Sequence, residues 1–572
     1  MGALLVAWPF SGLPFNDDWS WALTVKNLHE TGHMVYNGWS SPSVIAQAYW
    51  GLLWVKVFGF SFNVLRVSSL PLSAGAIAMC YALARRVGLT AALSVFITLT
   101  LGLSPWFLPL ASTFMTDVPG LFFMLLAMYV LLRGFETPAR NPAIAWIILG
   151  AAVALVGGSS RQLVWIVPLV VLPYVAWLRR MDRVFVFFAI ASVALVFAGA
   201  MGVQHWFAQQ PYSLPDPPVM SYLRSALHHP AHLVRGIIFL VLTTALILLP
   251  IWPELLRHLT SRRLILALIF LAVIGLGLGF FHHWIEPWMG NIVTSSGTLG
   301  SIAVAGGRPT VVPISVRMAL SFIVLAVVSL LLALAVEWVI GQSGRIFTVA
   351  GNFFLKPADQ RAGVPAILLT VIALLGLEMT RVVFDVAYDR HLLPFIPFLA
   401  IPLLMCFQKN GLTKMPAGAW MILLLFALFG IAATQEVNSL ARARVTAVNR
   451  VLGAGYGPQE ISAGFEHDFW TQGVIAGHVN DIRVLNPPNA YDKRHGLTPA
   501  MRVKFRLESG KTDVTKLTDF GTVDYFSLLP PFHRRIYIDE FTDPWWLDEK
   551  RAATRPAEKS LLPLLLLEQY RK

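Results

Sequence analysis

The chain has 572 residues, of which 56% are hydrophobic and 13% charged, with a mean hydropathy of +0.64. Ordinary soluble domains carry about 25% charged residues, so a soluble enzyme, a disordered protein and a disulfide-built secreted module are excluded. The net charge of +13 comes from cations scattered singly between apolar runs, which is no nucleic-acid surface, and Cys80 and Cys406 lie inside such runs and form no disulfide framework.

In chain order, an apolar piece, Leu4–Phe15, comes first. It is too short to cross a roughly 30 Å hydrocarbon core and lacks the basic flank and cleavage site of a signal peptide. It reads either as the tail of a fuller first helix lying upstream or as a tilted half-span. Charge-poor runs then follow near 64–84, 90–110, 116–132, 142–158, 163–178 and 184–203. Others lie near 236–253, 264–281, 314–340, 364–384, 392–407 and 416–434. Each reads as a membrane-spanning helix, because inside lipid the backbone must satisfy its own hydrogen bonds. With the N-terminal piece the count is about 13 spans.

Cations mark alternate loops: Arg85-Arg86, Arg133 with Arg140, Arg179 to Arg183, Arg257 to Arg263, Arg345 to Arg361, and Lys409 with Lys414. The positive-inside bias makes these loops cytoplasmic. Residues 16–63, 204–235, 282–313, 385–391 and the C-terminal segment are then outside, which an odd span count also requires. From residue 435 charged residues become frequent. Strand-like pieces such as Arg502–Leu507 and Arg535–Ile538 alternate with Pro, Gly and Asp turn signals. The fold expected is therefore an all-α polytopic membrane domain over 1–434, with a first outer loop at 16–63. An extracytoplasmic α/β domain over 435–572 follows, and its apolar end, Ser560–Lys572, reads as a helix docked on the domain or the membrane surface.

The strongest chemical signal is Phe15-Asn16-Asp17-Asp18-Trp19-Ser20-Trp21. Two adjacent carboxylates among aromatic residues at a membrane surface are costly to desolvate, so each needs a partner or a task. They could accept a hydroxyl proton, hold a divalent cation, or cap the helix that begins at Trp19. Capping needs only one of them. Asp117, in Thr116-Asp117-Val118-Pro119, has the same two readings, since a Pro in the first turn also marks a helix start. Arg161 in Ser159-Ser160-Arg161-Gln162 and Arg390 in Tyr388-Asp389-Arg390-His391 are cations on the outer side. A guanidinium fork matches two phosphate oxygens. The plainer reading of Arg390 is a salt bridge to Asp385 or Asp389.

Weaker candidates are His282-His283 with Trp284 and Glu286, and His228, His229 and His232, which read more simply as a wet interfacial belt. Glu337 and Glu378 lie near span ends. No Walker A, GxSxG, HExxH or paired CxxC sequence occurs.

The segment DDWSWALTVKNLHETGHMVYNGWSSPSVIAQAYWGLLWVKVFGF resembles the first outer loop of family 39-type glycosyltransferases. These sit with the protein O-mannosyltransferases and the lipid A aminoarabinose transferase in the GT-C class. TFMTDVP, SSRQ and YDRHLLPFIPF are similar to the same group, so the likeness covers about residues 14–410. It implies a GT-C membrane enzyme that takes its sugar from a polyprenyl-phosphate donor at the outer face of a bacterial inner membrane. The family's catalytic aspartate maps onto Asp17, with Asp18 as acidic neighbour, and its second acidic position onto Asp117. Arg161 and Arg390, with Tyr388 and His391, are placed at the donor phosphate from charge and side. No metal or other cofactor is required, although the carboxylates leave room for a divalent cation if the leaving group is a diphosphate. The partners implied are the lipid-linked donor, membrane lipid, and a protein, lipid or polysaccharide acceptor.

Three rivals stand beside it. A lipid-linked glycan transporter would place charges in mid-span. An O-antigen-type ligase or polymerase, or an oligosaccharyl transferase, would share the donor; Trp545-Trp546-Leu547-Asp548 only superficially resembles the Trp-Trp-Asp signature of the last. A receptor would bind glycans without turnover.

Overall fold

The computed structural model describes residues 2–39, 41–215, 230–280, 287–300, 308–341, 363–382, 387–479, 501, 503–509 and 515–541. His228, His229, His282, His283, Trp284, Glu286, Asp385, Arg502, Trp545 to Asp548 and Ser560 to Lys572 lie outside them, as does the side chain of His232.

A bundle of apolar helices forms the larger part. Among the described residues, 8 helices are long and apolar enough to cross a membrane, from Phe62–Arg86 to Ala417–Gly453. Beside the figure of about 13 expected from hydropathy, several apolar runs among the described residues fold as shorter or bent pieces. The run at 90–110 is helical only over Ala91–Gly102, breaks ahead of Pro105, and resumes as a single turn, Phe107–Leu110. The run at 236–253 bends by 83° between Gly236–Ile247 and Leu249–Arg257, where Pro250 and Pro253 remove amide donors and force a 3-10 stretch. The N-terminal piece is one short helix, Gly2–Ala7. It lies on the last long helix, where the Arg442 guanidinium donates to the Trp8 carbonyl at 2.8 Å.

The loop at 16–63 carries two helices of its own, Asp18–Thr31 and Ile45–Phe58. The first ends on Gly32, whose left-handed φ of 76° lets its amide close on the Leu28 carbonyl. Close approach between helices rests on small residues: a Cβ on Gly150 would sit 2.5 Å from Leu131 Cδ2, and one on Gly157 2.4 Å from Phe123 Cβ.

Helix Ala417–Gly453 runs for 37 residues and passes residue 434 without a break. Its second half, including Leu440, Ala447 and Val451, packs on Ile461, Phe505, Ile536 and Ile538. The sheet has order β1-β2-β4-β3, with β1 (Ile461–Ser462) parallel to β2 (Phe505–Glu508). β2 and β3 (Thr515–Phe526) both pair antiparallel with β4 (His533–Phe541). Alternation along β4 sends Ile536 and Ile538 inward and Arg535 outward. β3 carries an irregularity between Leu517 and Thr522, beside Gly521 at φ 68°. Helix Phe465–Ala476 completes this α/β part.

The two parts are clasped by a fully buried triad. Glu436, on the long helix, takes Arg308 at 2.8 Å on one oxygen and Arg534 of β4 at 2.7 Å on the other. Several cation-rich connections pair among themselves elsewhere: Arg86 with Glu136 at 2.5 Å, Arg140 with Asp182 at 3.0 Å, and Arg263 with Glu337 at 2.7 Å.

Candidate active site

Asp17 stands at the residue before helix Asp18–Thr31, yet its side chain makes no capping hydrogen bond. Its carboxylate is turned away from the helix. One oxygen accepts from Trp39 Nε1 at 2.9 Å, and the other pairs with Arg390 at 2.7 Å. Capping therefore does not account for Asp17. Asp117 departs from the cap reading in the same way. Thr116 precedes its helix without a side-chain cap, and the nearly buried Asp117 carboxylate lies 2.9 Å from Arg161 Nη2. Arg161 also donates to Thr116 Oγ1 at 2.9 Å.

Arg390 reaches Asp17 because its expected partner is occupied. Asp389 accepts from the Ile292 and Val293 amides, each at 2.8 Å, and from Trp106 Nε1 at 3.0 Å. It is a structural anchor for the 290–293 loop. On the same short 3-10 turn, Asp389–Leu392, His391 Nδ1 lies 3.4 Å from Glu378. Glu378 in turn holds Arg381 at 2.5 Å. Tyr388 stacks edge-on to His391, and its ring lies under the Arg390 guanidinium at 5.2 Å. Arg381, Arg390 and Glu378 are all near enough for their charges to act on Arg161, and Asp117 acts on Arg390 in the same way.

The result is a single constellation drawn from four chain regions. Three guanidinium groups each rest on a carboxylate: Arg390 on Asp17, Arg161 on Asp117, and Arg381 on Glu378. Of the residues expected from sequence, Asp17, Asp117, Arg161, Tyr388, Arg390 and His391 come together. Glu378, Arg381, Thr116 and Trp39 join them. The sequence signal available for Glu378 and Arg381 was an ionisable pair three residues apart near a span end, close enough for one helix face. For Trp39 there was none beyond its place in the loop.

Asp18 does not join. Its oxygens accept from the Phe15 amide at 2.6 Å and the Phe114 amide at 3.3 Å, tying the first loop to the turn before Asp117. Burial pushes its carboxyl up to about 7, against the lowering pull of Arg66 and the two amides. Asp18 begins the helix and Asp17 precedes it, and side chains one residue apart in a helical turn point about 100° apart, so the two carboxylates face different neighbours. Among the described residues, no group of three His, Cys, Asp or Glu side chains is placed to hold a metal ion.

Residues 55–266 match the family model of the dolichyl-phosphate-mannose-protein mannosyltransferases. The matched stretch holds Asp117 and Arg161. Over that stretch the chain is similar to a family of sugar-transferring enzymes. Among solved structures, the chain is similar to ArnT from Cupriavidus metallidurans bound to undecaprenyl phosphate, at 13% identity and a TM-score of 0.36, over 95% of this chain and 97% of that one. It is also similar to the oligosaccharyltransferase AglB from Archaeoglobus fulgidus in complex with an inhibitory peptide and a dolichol-phosphate. That likeness has 16% identity and a TM-score of 0.41, over 89% of this chain and 68% of that one. No curated protein sequence matches the chain.

Proposed function

We propose that this protein is a GT-C glycosyltransferase that moves a sugar from a polyprenyl-phosphate donor to an acceptor at the outer face of a bacterial cytoplasmic membrane, inverting the anomeric carbon. The observation that carries the reading is the set of three guanidinium–carboxylate pairs gathered around Asp17 and Asp117. A phosphate entering such a set can draw the guanidinium forks to itself, since each matches two phosphate oxygens. The matched family, named for a dolichyl-phosphate sugar, supports a donor of that chemistry.

At rest Arg390 occupies one oxygen of Asp17. Donor phosphate takes Arg390 and leaves that oxygen free, while Trp39 keeps the other fixed. Asp17 then accepts the proton of an acceptor hydroxyl or amine as that atom attacks the anomeric carbon. The bond from that carbon to the phosphate oxygen breaks, and its electron pair leaves with polyprenyl phosphate. Arg161, Arg381 and Arg390 stabilise the charge that builds there. His391 and Tyr388 hydrogen-bond the phosphate, and Asp117 orients acceptor or sugar hydroxyls. One displacement from the face opposite the leaving group inverts configuration. No metal enters this scheme; with a diphosphate leaving group, Asp17 and Asp117 would be the carboxylates open to a divalent cation. The acceptor is a protein, a lipid or a polysaccharide.

The test is incubation of the purified protein in nanodiscs with a panel of radiolabelled polyprenyl-phosphate sugars and a membrane extract. Transfer of label with release of polyprenyl phosphate supports the reading. In a parallel run with sealed proteoliposomes, movement of intact donor across the bilayer without cleavage supports the transporter instead. Transfer from diphosphate donors alone supports the ligase.

A further inference from the structure

We infer that Glu466, from the C-terminal α/β domain, is a positioning residue for the base: it fixes Asn16, and through Asn16 the direction of Asp17. The inference rests on the reading of Asp17 as general base.

Asn16 is the residue just before Asp17. It is buried and held at φ 55°, in the left-handed region that non-glycine residues enter only with outside support. That support comes from elsewhere in the chain. The Asn16 amide donates to Glu466 Oε1 at 3.1 Å, and its side-chain amide donates to Asn291 Oδ1 at 3.1 Å. Glu466 is itself buried, and its second oxygen lies 3.8 Å from Arg444 of the long helix. If Asn16 relaxed to a right-handed or extended conformation, the chain direction into Asp17 would change, and the carboxylate would leave Trp39 and Arg390.

The other hold on Asp17 has the same source. Trp39, which donates to Asp17, packs against Phe465 and Phe469 with ring centroids 5.3 and 5.2 Å apart. Two residues earlier, the Asn37 carbonyl accepts from the Val479 amide at 3.0 Å. Gly38, at φ 78°, leaves room for that strand-like contact, since a Cβ there would meet the Val479 carbonyl at 2.9 Å. Helix Phe465–Ala476 and the residues just after it thus hold both sides of the base. The C-terminal domain completes the active site rather than sitting beside it.

The experiment compares wild type, Glu466→Gln, Glu466→Ala and the double variant Glu466→Met with Arg444→Met, all full-length in nanodiscs. Gln keeps an oxygen for the Asn16 amide. The double variant removes that oxygen together with the cation facing it, so a folding failure of Glu466→Ala does not end the test. Hydrogen exchange at the Asn16 amide and donor-saturation kinetics are read together. Expected are faster Asn16 exchange and a kcat lower by about 10- to 100-fold in the variants lacking the oxygen, with KM for the donor unchanged. Glu466→Gln is expected to keep both near wild type. Unchanged exchange at Asn16 in the folded double variant overturns the proposal, and so does unchanged kcat. Exchange is read without turnover, so a wild type that transfers no sugar overturns the glycosyl-transfer reading while the Asn16 result stands by itself.

Discussion

At the residue scale, two neighbouring aspartates take opposite roles because one begins a helix and the other precedes it. Asp17 faces Trp39 and Arg390, whereas Asp18 faces two backbone amides in a buried setting. The sequence singled out both, and only contacts from residues 39, 114 and 390 separate them, none of which lies within local reach. Asp18 also lies near a second buried acid. Glu466 raises Asp18, and burial pushes Glu466 up to about 7 against the pull of Arg444 and the Asn16 amide. Between about pH 4 and about pH 7 the folded chain holds protons that the unfolded chain has released, so stability falls as pH rises through that window. The thermal midpoint in detergent is expected to be higher at about pH 5 than at about pH 8. Asp18→Asn and Glu466→Gln should each flatten that slope, and an unchanged slope in both variants would contradict the assignment.

At the scale of elements, hydropathy located nearly every apolar helix but misjudged how much of each run stays helical. Leu103 to Pro105 and the prolines at 250 and 253 are where continuous hydrophobicity conceals a break. The two helices of the loop at 16–63 were half legible. Asp18–Thr31 follows a capping-type start and ends on Gly32, while Ile45–Phe58 has no such start and begins after Val44 at φ 47°. One helix contact reaches into the chemistry. Gly120, in the first turns of Asp117–Glu136, lies against Arg161, and a Cβ there would stand 2.7 Å from Arg161 Cδ and 3.2 Å from its Cβ. Gly120→Ala must move the Arg161 stem and so its hold on Asp117. We expect kcat/KM lower by roughly tenfold or more, with a smaller proportional loss of folded protein. Normal kinetics in this variant would separate Arg161 from the reaction.

At the scale of the whole molecule, the charge pattern predicts a topology and the fold joins the two parts of the chain. The C-terminal α/β domain reaches the Asp17 turn through Glu466, while Arg86, Arg140 and Arg263 pair in other connections. The class of the protein was legible because apolar length and cation placement are properties of composition. The clasp between the two parts was not, since Arg308, Glu436 and Arg534 are far apart in sequence and each looks like an ordinary surface charge. If the C-terminal domain faces away from the cytoplasm, Asp524→Cys in β3 is labelled by an impermeant maleimide on intact cells, and Arg140→Cys only after permeabilisation. The reverse pattern would invert the topology. The central claim is that Asp17 removes the acceptor proton while the guanidinium set holds the donor phosphate. Its most direct test is the steady-state rate of sugar transfer by Asp17→Asn beside wild type, with donor binding measured on both. The account predicts a kcat lower by about 100- to 10,000-fold with donor binding retained. Transfer at the wild-type rate by a folded Asp17→Asn protein would contradict it.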